Sequence, residues 1–73
     1  MGEHDQAEFR KVKEAGDQTF VLVDAGRGDD LKWFLGDSGI DATVHPAEDS
    51  DRVEIHGEMD RRVVQAVVDR WPG

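Results

Sequence analysis

VLVDAGRGDD, residues 21–30, carries a β-branched run straight into G-R-G and then into two aspartates. The run reads as the end of a strand, the glycines as a turn, and the aspartates as the first turn of a helix. That passage sets the fold class at α+β and poses a chemical question. A loop of this shape cradles a phosphate, holds a metal, or merely turns the chain. A dinucleotide fingerprint requires G-x-G-x-x-G. Gly26 and Gly28 are present, but Leu31 stands where the third glycine belongs, and no G-K-[ST] follows. Asp29 and Asp30 occupy the expected helix N-terminus. Their carboxylates are expected to take the amide donors and the positive dipole end that a phosphate would use. Asp24, Asp29 and Asp30 also form a loose oxygen set for Ca²⁺ or Mg²⁺. Their spacing fits no EF-hand and lacks its bidentate Glu, so solvated caps are the plainer reading. These three remain the ligand-binding candidates, and neither a resident metal nor a cofactor is expected. R-G-D at 27–29 matches an adhesion tripeptide only by the coincidence of three letters.

Working outward, the chain before this loop divides into two segments. DQAEFRKVKEAG, 5–16, reads as a helix. Asp5 and Glu8 have capping-box spacing, Phe9, Val12 and Ala15 recur at about one turn, and Gly16 stops it. The rival is a strand pairing with the next segment of the chain. The helix is preferred because Phe9 and Val12 would face opposite sides of a strand. TFVLVDA, 19–25, is the clearest strand. Phe20 and Leu22 point one way and Val21 and Val23 the other, so it should be covered on both faces.

After the loop, residues 29–37 read as a two-turn helix with Leu31, Phe34 and Leu35 inward, ended by Gly39. Ile40, Ala42 and Val44 alternate in a strand over 40–45, and Val53 and Ile55 in a strand over 52–56. PAEDSD between them is rich in turn formers, which makes a hairpin with one wet face. EMDRRVVQAVVDRW, 58–71, is the strongest helix. Met59, Val63, Val67 and Trp71 share one stripe, with Val64 and Val68 beside it. Residues 1–4 read as a disordered tail, and the whole chain as one domain. The order after the first helix, β-α-β-β-α, is that of a ferredoxin-like split core. The expected architecture is a three-stranded sheet, two helices on one face, and an added N-terminal helix.

Composition narrows the function classes. The chain has 73 residues, 17 acids, 9 bases and no cysteine, for a net charge of −8. That charge repels nucleic acid and anionic membrane, both of which need Lys and Arg. No apolar run approaches the roughly 18 residues of a membrane span, and MGEHDQAEF does not read as a signal peptide. A cytoplasmic location is the expectation. The 11 Asp against 6 Glu, 3 Lys against 6 Arg, and 9 Val suit both a halophile's salt-bathed proteome and a GC-rich genome.

VEIHGEMDRRVVQAVVDRW, 53–71, resembles the end of a heavy-metal-associated domain, through Val53, Ile55, Gly57, Ala66 and Val67. GIDATV, 39–44, resembles that family's passage into its second strand. The resemblance implies a ferredoxin-like fold. The family's soft-metal chemistry uses two cysteines in the loop after the first strand, and DAGRGDD has none, so metal binding does not carry over. Gly39 and Ile40 also resemble the corresponding helix exit of ACT ligand-sensing domains and of the putative prokaryotic signal-transducing domain.

The nucleophile inventory is thin, with no Tyr or Cys and only Ser38 and Ser50. Neither serine follows a G-x-S-x-G pattern. His45 and His56 fall on the wet face of the hairpin. If the inward sets pair, His45 lies opposite Arg52 or Glu54, and His56 opposite Asp41 or Thr43. That is ordinary cross-strand electrostatics. Trp33 lies about 100° from Phe34 on the helix wheel, a position that allows edge packing over the core, the slightly preferred reading, or partial exposure as an anchor for a partner. The reading is therefore a non-catalytic, regulatory or protein-interaction module whose partner is another protein or its own copy. Trp33, Val21 and Val23 are its candidate contact surface. The alternative is a small-ligand sensor of ACT type near Asp24–Asp30, and a hydrolase ranks third.

Overall fold

The strand Gln18–Asp24 lies inside the sheet, and among the described residues only one of its two apolar faces, that of Val21 and Val23, is covered by helices; the expected cover on both faces is corrected. It is the second of four. The computed structural model describes residues 9–73, in the order β1 (Val12–Ala15), β2 (Gln18–Asp24), α1 (Gly28–Asp37), β3 (Ala42–Pro46), β4 (Ser50–Ile55) and α2 (Arg61–Arg70). The sheet order is β1-β2-β4-β3, and every neighbouring pair is antiparallel. Since β4 runs opposite to both β2 and β3, those two are parallel with β4 inserted between them. Both helices pack on one face. Val12, Val21, Val23, Val53 and Ile55 of the sheet meet Leu31 and Leu35 of α1 and Val64, Val67 and Val68 of α2 there.

The expected N-terminal helix over 5–16 is corrected. Residues 5–8 lie outside the described residues, and Val12–Ala15 form an edge strand that makes the sheet four-stranded. A two-residue turn joins β1 to β2, with Ala15 paired to Gln18 and Gly16 at φ 62°. A hairpin turn of this length demands positive φ at its first position, which glycine supplies without cost. Arg10, at φ 66°, turns the chain before the strand begins. Three contacts hold that unfavourable conformation. Its N–H donates to Leu22 O, its C=O accepts from Gln65 Nε2, and its guanidinium donates to Trp71 O while lying 4.9 Å over the Trp71 ring. Gln65 also accepts from Val12 N–H at 2.8 Å. The amide thus replaces a neighbouring strand along part of the β1 edge, which closes that part to other chains.

The remaining elements stand close to their expected positions. Helix α1 ends in a Schellman motif at Gly39, with Gly39 N–H on Gly36 O and Ile40 N–H on Leu35 O, each at 2.9 Å. This buries Ile40 in the turn and moves the start of β3 to Ala42. Helix α2 starts at Arg61, later than expected, because Asp60 caps it by accepting from Arg62 N–H at 2.8 Å. Trp71 leaves the helix in an extended conformation, as the residue before Pro72 favours. Val63 is 49% exposed rather than inward, and Val64, Val67 and Val68 form the buried stripe.

Candidate functional site

The loop between β2 and α1 answers the question its sequence poses. Arg27 N–H donates to Asp24 O at 3.0 Å, closing a turn with Gly26 at φ 87° in its third position. Gly26 and Gly28 then point their N–H groups at one oxygen, Asp51 Oδ2, at 3.1 and 3.0 Å. Asp51 sits on β4 and is 4% exposed, the one charged side chain among the buried described residues. Its neighbour across the sheet is Val23, the last buried residue of β2. The glycine loop does embrace an anion, and the anion is the protein's own carboxylate.

This corrects the expectation that Asp29 and Asp30 close the mouth of α1. Neither caps the helix, whose N-cap residue Arg27 makes no side-chain capping bond. Asp29 is exposed on the outer face. Asp30 Oδ2 instead accepts from the Trp71 indole N–H at 3.2 Å, tying α1 to the end of α2. Arg27 turns outward and donates to Gly73 O at 2.7 Å. Asp24 stands beside a small depression of about 80 Å³ that Phe9, Arg10 and Trp71 also line. Among the described residues, no group of three or more His, Asp or Glu side chains is placed to hold a metal ion.

The candidate contact residues separate. Val21 and Val23 are buried beneath the helices, so the sheet face turned away from them carries Phe20 and Leu22 instead. Among the described residues no element covers that face, but its own side chains pair across it. Arg52 lies over the Phe20 ring at 5.0 Å and donates to Gln18 Oε1 at 2.7 Å. His56 Nε2 is 2.5 Å from Thr43 Oγ1, and His45 donates to Glu54 at 2.9 Å. His45 stands opposite Arg52 in the register, and Glu54 opposite Thr43.

The hydrogen bond from His45 holds the Glu54 carboxyl below its ordinary value of 4.5, against a smaller opposing effect of desolvation. The positive charges of His45, His56 and Arg52 act in the same direction as that bond. A carboxyl lowered in the folded state favours folding above its unfolded value, and this contribution disappears as pH falls through the lowered value. The expected result is an NMR titration of Glu54 with a midpoint below 4.5, moving upward in His45→Ala. Identical Glu54 curves in the two proteins would disprove the coupling.

Trp33 stands apart from all of this. It projects from the outer face of α1 and is 76% exposed, whereas Trp71 is 4% exposed. A shallow depression of about 540 Å³ runs beside it, lined by Asp29, Lys32, Gly36 and Asp37. The helix wheel leaves Trp33 between edge packing and exposure, and the structure places it in solvent. Sequence reasoning misses Asp51, which lies in a run of turn formers and carries no local sign of burial.

No family model, curated protein or solved structure matches the chain. No helix among the described residues is long and apolar enough to cross a membrane.

Proposed function

We propose that this chain is a non-catalytic protein-interaction module that presents the outer face of α1, with Trp33 as its anchor. The observation that carries this reading is the 76% exposure of an indole on a regular helix whose inner side is fully committed to the core. A large aromatic side chain left in water gains on contact with another protein, and tryptophan is enriched among the residues that dominate such interfaces. We read the β2-to-α2 portion as a ferredoxin-like split unit serving as scaffold, with the β1 hairpin extending its sheet. The open sheet face is the weaker contact candidate, because Arg52, Glu54, His45 and Thr43 already pair across it.

The ligand-sensor alternative receives less support. The depression beside Asp24 measures about 80 Å³, whereas ligand pockets typically hold about 300 Å³ or more, and the depression of about 540 Å³ beside Asp29 is a shallow groove on the outer surface of α1 rather than an enclosing pocket. The loop's inward amides are also occupied by Asp51.

Trp33→Ala tests the interaction reading. The variant should keep its melting temperature within about 4 °C, since exposed positions cost no more than about 0.5 kcal/mol. It should also lose a protein that the wild type retains on affinity purification at native salt. A partner retained equally by both would remove Trp33 from the interface. A thermal shift of the wild type with one amino acid, nucleotide or metal, unaffected by Trp33→Ala, would favour the sensor.

A further inference from the structure

Positions 29, 33 and 37 follow one another at i,i+4 spacing, so the Trp33 Cβ has an aspartate Cβ about 6 Å away on either side, and all three residues line one depression. Among the described residues, neither the Asp29 nor the Asp37 side chain has a hydrogen bond or ion pair. Gly36 leaves one flank of the ring open, since a Cβ there would meet nothing within 4 Å. Lys32, on the same face, opposes the two acids and leaves the stripe with net negative charge. Elsewhere the molecule shows what its aromatic rings accept. Arg10 covers Trp71 at 4.9 Å, with Asp30 on the same indole, and Arg52 covers Phe20 at 5.0 Å. Trp33 has two aspartates on its own helix face, makes no indole hydrogen bond to either, and carries no guanidinium among the described residues.

Resting on the interaction reading above, we propose that the α1 face binds a cationic segment of the partner protein. One arginine or lysine lies on the Trp33 ring, and neighbouring cations pair with Asp29 and Asp37. A ring face attracts a cation through its quadrupole, and arginine adds stacking. The chain's net charge of −8 draws such a segment toward the protein over a longer range and makes its capture sensitive to salt.

The probe is an acetylated, amidated hexa-arginine peptide, titrated into the full chain and followed by amide NMR shifts and tryptophan fluorescence. Saturable shifts should centre on Asp29–Asp37. Trp33→Ala should weaken binding about tenfold, the scale of a modest interface anchor. Asp29→Asn with Asp37→Asn should weaken it several-fold more than Glu14→Gln with Asp17→Asn, which removes equal charge at the β1 hairpin. Lys32→Gln should tighten binding, a sign that loss of folding cannot mimic. Far-UV circular dichroism verifies that each variant is folded.

Absence of binding, or shifts spread over the acidic surface with the two charge-removing pairs equivalent, would overturn the proposal. A neutral apolar peptide that binds at Trp33 more tightly than hexa-arginine would overturn the cationic partner while leaving Trp33 as an interface. Concentration-dependent broadening at Asp29–Asp37 without peptide, abolished by Trp33→Ala, would make the occupant a second copy and likewise overturn it.

Discussion

Asp51→Ala should cost about 3 kcal/mol of folding stability, the largest effect of any single polar substitution expected here. The carboxylate oxygen accepts two backbone N–H groups, from Gly26 and Gly28, at a position 4% exposed. Hydrogen bonds to a charged acceptor contribute about 1.5–3 kcal/mol, and removing the acceptor leaves buried donors without a partner. A domain of this size has a total margin of roughly 4–11 kcal/mol, at about 0.05–0.15 kcal/mol per residue. The loss should therefore lower the melting temperature by about 12–24 °C. Asp51→Asn keeps an acceptor oxygen of similar shape and should lose about half as much. A buried charge can also be neutral or costly to stability, because its desolvation offsets its attractions. Denaturant unfolding distinguishes the two views. If Asp51→Ala lies within about 0.5 kcal/mol of the wild type, the carboxylate does not hold the loop.

Gly28→Ala should destabilise the fold by about 1–3 kcal/mol, the usual cost of forcing extra atoms into a packed site. Helix propensity predicts the opposite sign, since alanine exceeds glycine by about 1 kcal/mol within a helix. The space decides. A Cβ on Gly28 would lie 2.7 Å from Val44 Cγ1 and 2.8 Å from both Cβ and Oδ2 of Asp51. Asp51 Cβ is fixed to the β4 backbone and cannot swing aside, so α1 must move off the sheet or the carboxylate must leave the amides. Gly36→Ala, in the same helix, is the control. Its Cβ would meet nothing within 4 Å, so it should stabilise by up to about 1 kcal/mol. Equal responses at the two glycines would show that propensity outweighs the close approach of α1 to Asp51.

The two predictions share one contact, and that contact shows where sequence reading loses its hold. Leu31, Leu35, Ala42, Val53 and Ile55 betray their inward positions by period, because each competes for the core through its own helix or strand. Trp33, about 100° from Phe34 on the wheel, falls between the inner stripe and solvent by period alone, and its exposure is decided by the packing of α1. Asp51 comes after Glu48, Asp49 and Ser50 in a stretch that reads as solvated turn. Only the β2–β4 register places it beneath Gly26 and Gly28.

The β1 hairpin is a different case. Gly16-Asp17 between VKEA and QTFVLVD is a two-residue hairpin signal available from the letters alone. The helical reading rests on Phe9 and Val12 falling on opposite faces of one strand. The turn at Arg10 removes that objection, since the strand begins only at Val12. Nothing local announces a non-glycine residue at φ 66°. The contacts that hold it there come from Leu22, Gln65 and Trp71, distant in sequence.

Local periodicity and turn chemistry thus specified the α+β class, both helices and the two strands after α1, because each depends on residues within a few positions of one another. Tertiary structure alone decided the left-handed turn at Arg10 that precedes β1, the burial of Val21 and Val23, and which carboxylate fills the glycine loop. Each of those depends on which distant segment arrives alongside. A chain with 17 acidic residues offers many anions for one pair of amides, and the pairing of β4 with β2 selects Asp51.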